Sequence, residues 1–403
     1  MTPTEPAAQT STRLEQSAFL ALALGLGLIQ FSIKAEWILI IAGLLWIALA
    51  VREGRRPDAP AFLLPLLVLA VLTLVSAAFS MDPVESFKRS RQLSLLLIVP
   101  GTARLARGPR AMTIINIVIA LGAIGAVAGI VEFTMLGFND GNHRPPGTLG
   151  HYMTYSGLIM LVTCAAAARL LYYTKELVWP AIAVPALLVA LALTQSRNAW
   201  VGTVVAISVL LAMRSKRLLI AVPALALLFA LLAPAAIKNR ALSIFDPNDP
   251  ASRDRFAMLA SGVAMVRDHP LFGVGPNMVP VAFPQYRTKN AVDAADAVGP
   301  QTRSHLHNVP MQIAAERGLP ALAAWLWFVV VAGRDLLKQA RRGPARVVAC
   351  AGLAALIGMF FAGLFEHNFG DSEFLVLFLG LITLPFAAGR DPNGGLVRAT
   401  GPS

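Results

Sequence analysis

Charge is scarce in this chain. Only 14% of its 403 residues are Asp, Glu, Lys or Arg, against about 25% in a soluble globular protein, and that deficit excludes a soluble enzyme and a disordered chain alike. Cysteine is scarcer still. Cys164 and Cys350 are the only two, each inside an apolar run, so a disulfide framework and a thiolate metal site are excluded and both read as small packing residues. No Gly-x-x-x-x-Gly-Lys segment occurs, so nothing signals nucleotide hydrolysis. The stretch Met1 to Gln16 has neither a basic leader nor a small-residue cleavage site, and the apolar run after Gln16 is expected to be a first helix rather than a cleaved signal.

What the chain has instead is apolar sequence: 56% of residues are hydrophobic and the mean hydropathy is +0.65. At roughly 20 residues per crossing, this is an integral membrane protein. Runs broken by charge, Gly and Pro predict helices near 17–33, 36–51, 60–79, 92–103, 111–136, 149–172, 177–194, 198–213, 218–236, 308–332, 346–366 and 372–388. The expected fold is an all-α polytopic membrane protein with about 12 transmembrane helices and one large external loop carrying short amphipathic helices. Nine spans fill 1–236, the loop 237–306, three further spans 307–389, and a polar tail 390–403.

The excess of 34 Lys and Arg over 22 Asp and Glu encodes orientation and lipid contact rather than nucleic-acid binding. Arg52, Arg55, Arg56, Arg104, Arg107, Arg110, Arg214, Lys216, Arg217, Arg341 and Arg342 all fall in short loops on the side of the N-terminus. That bias predicts both termini in the cytoplasm and 237–306 outside. Within the external segment, Phe256, Leu259, Ala260, Val263 and Val266 share a helical stripe, with Ser252 as the expected N-cap and Pro270 as the stop. Such a helix suits the membrane face.

Charged residues at the edges of spans are functional candidates when they face a polar cavity. On the outer side these are Arg144, Arg197, Arg255, Arg303, Glu316, Arg317 and Glu366. Converging guanidiniums suit phosphate, whose oxygens they bind bidentately. Each has an ordinary alternative: Arg197, in the TQSRNAW break, as a headgroup anchor, Arg255 as a lipid or solvent contact, Arg144 as a turn charge beside Pro-Pro-Gly. His305 and His307 are candidate external bases, because histidine titrates near neutrality, or simply structural residues. No carboxylate or thiol lies at ligand spacing beside them, so no metal site is expected. The Asp246, Asp249 and Asp254 cluster lacks the pattern of a calcium loop, and Gly273 with Gly275 is a poor phosphate cradle.

The strings SRNAW, HPLFGVGPN and HNVPMQIAAERGLPA, in this order along a many-helix chain, resemble the O-antigen ligase and polymerase superfamily of bacterial envelope enzymes. Its ligases carry a His followed by Asn, Ser or Gln, nine residues and a Gly-x-x-Gly element. Here His307 and Asn308 are followed by Val309 to Arg317 and then Gly318, with Ala321 in the second glycine position. The resemblance implies an inverting glycosyltransferase that moves a glycan from undecaprenyl diphosphate to lipid A-core in lipopolysaccharide biosynthesis, at the periplasmic face of the bacterial inner membrane. It carries over Arg197, Arg255 and His307 as catalytic residues. Position and chemistry add Arg144, Arg303, His305 and Asn308 as contacts to the diphosphate or acceptor, with no cofactor and no metal.

Rival functions are an O-antigen polymerase, a protein O-oligosaccharyltransferase and a transporter or flippase for a lipid-linked anion. Polymerases often have two large external loops, and the protein glycosyltransferases usually continue into a soluble region. A transporter should line its midplane with charge, whereas here the arginines gather at one surface.

Overall fold

The computed structural model describes residues 5–54, 59–135, 147–244, 246, 248–286 and 305–390. The elements are α1 (Glu5–Leu28), α2 (Glu36–Glu53), α3 (Leu63–Ala78), α4 (Pro83–Ser90), α5 (Ile98–Leu105), α6 (Arg110–Met135), α7 (Tyr152–Tyr172) and α8 (Val178–Leu193). They continue with α9 (Arg197–Arg214), α10 (Ala221–Leu232), α11 (Ala235–Leu242), α12 (Pro250–Asp268), α13 (Val279–Tyr286), α14 (Val309–Arg342), α15 (Arg346–Gly363) and α16 (Ser372–Ala388). All twelve apolar stretches expected from sequence fall in helical elements, and the described residues form no strand.

The chain is a multi-pass membrane protein. Five described segments are long and apolar enough to cross a bilayer: Ile33–Glu53, Arg110–Met135, Tyr152–Tyr172, Val309–Arg342 and Arg346–Gly363. Leu63–Ala78, Val178–Leu193 and Ser372–Ala388 are apolar but shorter. Side chains are buried without a break from Thr154 to Arg169 in α7 and from Phe374 to Pro385 in α16. Around these α15 packs against α7, α9, α14 and α16. By contrast α10 buries none of its residues, the condition of a helix whose surroundings are lipid.

A second, smaller core lies between α12, α13 and the first turns of α14. Met258 and Met265 of α12 pack with Val274, Met278, Phe283 and Leu306, and Gly262 brings α12 against Met311 and Leu306. Two expectations are corrected here. The inward stripe of α12 is Met258, Ser261 and Met265, while Phe256 is 65% exposed, because the small residues set the closest approach. Asp249, not Ser252, caps the helix: its carboxylate accepts from the Ser252 amide at 3.1 Å.

One break in α14 organises the whole end of the bundle. Gly318 adopts φ 81°, ψ 171°, a conformation essentially confined to glycine, and Pro320 follows with no N–H to lose. The Ala315 and Glu316 carbonyls, freed from their helical partners, accept instead from the Val274 and Gly275 amides at 2.9 Å each. The Leu319 amide turns to the Pro270 carbonyl at 2.8 Å, and Ser76 of α3 donates to Glu316 O at 2.9 Å. Thus HPLFGVGPN and the Gly318 turn are two halves of one joint. A Cβ on Gly273 would overlap the Glu316 carbonyl, and one on Gly318 the Leu271 carbonyl, so the glycines serve close backbone approach and not phosphate binding.

Candidate functional site

The first turn of α14 presents the histidines. Asn308 caps it, its Oδ1 accepting from the Met311 amide at 2.8 Å, while its Nδ2 donates to Leu364 O at 2.9 Å and ties α14 to the end of α15. The Leu306 amide donates to Gln312 Oε1 at 2.7 Å. Gln312 in turn donates to Glu316 Oε1 at 2.8 Å, which also accepts from the Asn277 amide at 2.9 Å. Held on both sides, His307 takes φ +50°, an uncommon value for a residue with a side chain.

That backbone aims the His307 ring at Glu366, which lies just past the end of α15. His307 Nδ1 lies 2.8 and 2.9 Å from the two carboxylate oxygens, and His305 Nε2 lies 3.0 Å from Oε1. The His367 amide donates to the same oxygen at 3.0 Å. Burial opposes the charge on Glu366, yet the facing histidines and their hydrogen bonds hold its carboxyl well below the usual range. An ionised carboxylate only accepts, so Nδ1 of His307 donates to it and Nε2 is the ring nitrogen left outside that bond. For His305 burial disfavours protonation, but the bond to Glu366 prevails and raises its pKa. His367, buried beside His305 and Arg317, is pushed well down and stays neutral.

The arginines sit in two different states. Arg197 opens α9 after a turn in which Gln195 has φ +53°, and its side chain is buried rather than anchored in headgroups. Its Nη1 lies 2.9 Å from Asp249 Oδ2 and donates to Ser243 O at 2.9 Å and to Ser243 Oγ at 3.0 Å. Nη2 is buried with no partner among the described residues. Arg255, near the start of α12, is half-buried and makes no hydrogen bond or ion pair among the described residues. Burial lowers its pKa, with the charge of Glu366 opposing and that of Arg197 adding to the effect. Arg255 is therefore within electrostatic reach of both Glu366 and Arg197. Arg144 and Arg303 lie outside the described residues.

Residues 181–326 match the O-antigen ligase family. All three strings that carry the resemblance fall inside that span, as do Arg197, Arg255, His305 and His307; Glu366 falls outside it. No curated protein sequence matches the chain. The family match therefore bears out the resemblance over the part of the chain that builds the arginine and histidine side of the site.

Two residues of the site had little or no signal in sequence. Glu366 stands out there only as a charge at a span edge, because the 59 residues separating it from His307 hide the contact. Asp371, at the start of α16, does not cap that helix with its side chain; its Oδ2 accepts from Thr154 Oγ1 of α7 at 3.0 Å. Burial pushes its carboxyl up to about 6, the Thr154 bond opposing and the Glu366 charge adding. Glu366 also changes the ligand chemistry. The ligating atoms of His305, His307 and Glu366 lie within 4.8 Å of one another, a set that could hold a divalent cation, so chelation is a direct test of how the site works.

Proposed function

We propose that this chain is an O-antigen ligase, transferring a glycan from undecaprenyl diphosphate to lipid A-core at the periplasmic face of the bacterial inner membrane, with both termini cytoplasmic. The family to which residues 181–326 match is one of membrane enzymes of glycosyl transfer that use lipid-linked glycans. One observation carries the proposal furthest: a half-buried Arg255 that makes no hydrogen bond or ion pair among the described residues, within electrostatic reach of the buried Arg197 and of Glu366, the carboxylate that bonds His307. A half-buried guanidinium whose donors find no acceptor among the described residues is costly, and a diphosphate supplies those acceptors.

In this mechanism Arg255 and the free Nη2 of Arg197 hold the diphosphate. His307 Nε2 takes the proton of the acceptor hydroxyl as its oxygen bonds to the anomeric carbon, and the bond from that carbon to the diphosphate oxygen breaks. The electrons of that bond leave with undecaprenyl diphosphate, and one displacement gives one inversion. Glu366 orients the His307 ring and stabilises the imidazolium. Asn308 fixes the turn from which His307 projects, and His305, Arg144 and Arg303 serve as further substrate contacts. No cofactor or metal takes part.

The test is transfer by purified protein from undecaprenyl-diphosphate glycan to lipid A-core with a chelator present, read as a ladder on a gel. Wild type is expected to give product, His307→Ala to lose about 10²- to 10⁴-fold, and Glu366→Gln to lose turnover while the donor KM holds. Lengthening of glycan on the carrier instead of ligation would make the protein a polymerase, and loss of product with chelator would assign the His305, His307 and Glu366 cluster to a metal.

A further inference from the structure

At the end of the bundle away from His307, two guanidiniums meet on one aromatic ring. Arg346, the first residue of α15, places its Cζ 4.9 Å from the Tyr172 ring centroid, and Arg214, the last residue of α9, places its Cζ at 5.9 Å. The ring is fixed, because Tyr172 Oη donates to Leu210 O at 2.8 Å. Both arginines are exposed. Lys216 and Arg217 continue from one and Arg341 and Arg342 precede the other, and among the described residues none of these six has a carboxylate within ion-pair distance.

Other arginines of this end are compensated. Arg104 pairs with Glu15 and Glu53, Arg110 with Glu15 and Arg169 with Glu176. Arg346 moreover stands at the start of a helix, where the dipole disfavours a cation. Two like charges drawn to one ring, with no acid beside them among the described residues, leave room for an anion from the surroundings.

We propose that Arg214, Tyr172 and Arg346 bind the phosphate of an anionic phospholipid headgroup, with the acyl chains lying along the apolar surface of the adjoining helices. The guanidiniums donate to the phosphate oxygens, and the fixed ring keeps their spacing. This site is separate from the transfer chemistry and stands whether or not that reading holds.

The test uses the full chain in nanodiscs of phosphatidylcholine with or without phosphatidylglycerol, reading lipid retained on release into the gas phase and the thermal unfolding midpoint. Wild type is expected to retain phosphatidylglycerol preferentially and to be stabilised by it. The double variant Arg214→Gln, Arg346→Gln is expected to bind it about 30-fold more weakly, the factor two cations near a headgroup ordinarily supply. Its midpoint in phosphatidylcholine alone reports that it folds. Equal retention of the two lipids by wild type, which needs no variant, would overturn the proposal. So would undiminished retention by the double variant, or displacement of the lipid by inorganic phosphate alone.

Discussion

The two ends of the helix bundle handle charge in opposite ways. At the His307 end, charge is buried and coupled across elements far apart in sequence, on backbone that departs from regular geometry at Gln195, Asn277, His307 and Gly318. At the other end most charges are partly exposed, as in the Glu15, Arg104 and Glu53 group, although Arg169 is buried and its partner Glu176 takes φ +53°. Strained backbone and buried charge lower stability, so their greater density at the His307 end marks where the fold gives up stability for the placement of groups.

The sharpest way to test that contrast is to remove Arg255 and Arg197 separately. Both substitutions to Ala should abolish transfer, by about 10²- to 10³-fold as for other preorganised charges. Stability should separate them. Arg197→Ala strands Asp249, whose carboxyl the guanidinium holds below its usual range against the cost of burial, and should lower stability by about 3 kcal/mol. Arg255→Ala removes a cation with no hydrogen bond or ion pair among the described residues and should leave the thermal midpoint unchanged or higher. Equal losses of midpoint would show that Arg255 is structural.

The Gly318 joint gives the next largest effect. Gly318→Ala forces a side chain into a glycine-only conformation and onto the Leu271 carbonyl, and should destabilise by about 3 kcal/mol. Ala321→Gly, at the other position of the Gly-x-x-Gly element, falls in regular helix and should cost only about 1 kcal/mol. A denaturation series on the two variants checks the ratio. Similar losses would mean that the joint is not what fixes this end.

The same contrast explains which features are legible in the sequence. Helix positions come from apolar runs, and Arg197, Arg255 and His307 from short local strings, because each signal lies within a few residues. The pairing of His307 with Glu366 and of Asp371 with Thr154 depends on how α7, α14, α15 and α16 pack, which no local spacing encodes. The stripe of α12 departs from its periodicity for a related reason: an apolar pattern finds a face, but Gly262 and Ser261 decide which face approaches α14.

Asp371 offers a pH test of this end. Its carboxyl is raised to about 6, so its contribution favours folding below the unfolded value near 4 and is lost as pH rises through about 6. Asp371→Asn should remove that loss, about 2 kcal/mol between pH 4 and pH 7. Midpoints of the variant and wild type, taken as a difference at each pH, cancel the opposite trend from Glu366 in more acidic solution and the fall from His305 at higher pH. A difference that does not change across this range would remove Asp371 from the coupled site.

At the opposite end the expected effects are smallest, and that is what makes them informative. Glu15 faces Arg104 and Arg110 from partly exposed positions, with side-chain exposure of 22% for Glu15 and 29% for Arg110. Solvent screens such pairs, and Glu15→Gln should cost no more than about 1 kcal/mol and leave transfer untouched. Added salt should shrink even that difference, whereas it should alter the cost of losing Arg197 less, because that guanidinium is itself buried. A Glu15→Gln variant that lost transfer with its midpoint intact would mean that the two ends communicate, and the division of labour between them would have to be replaced by a coupling along α5 and α6.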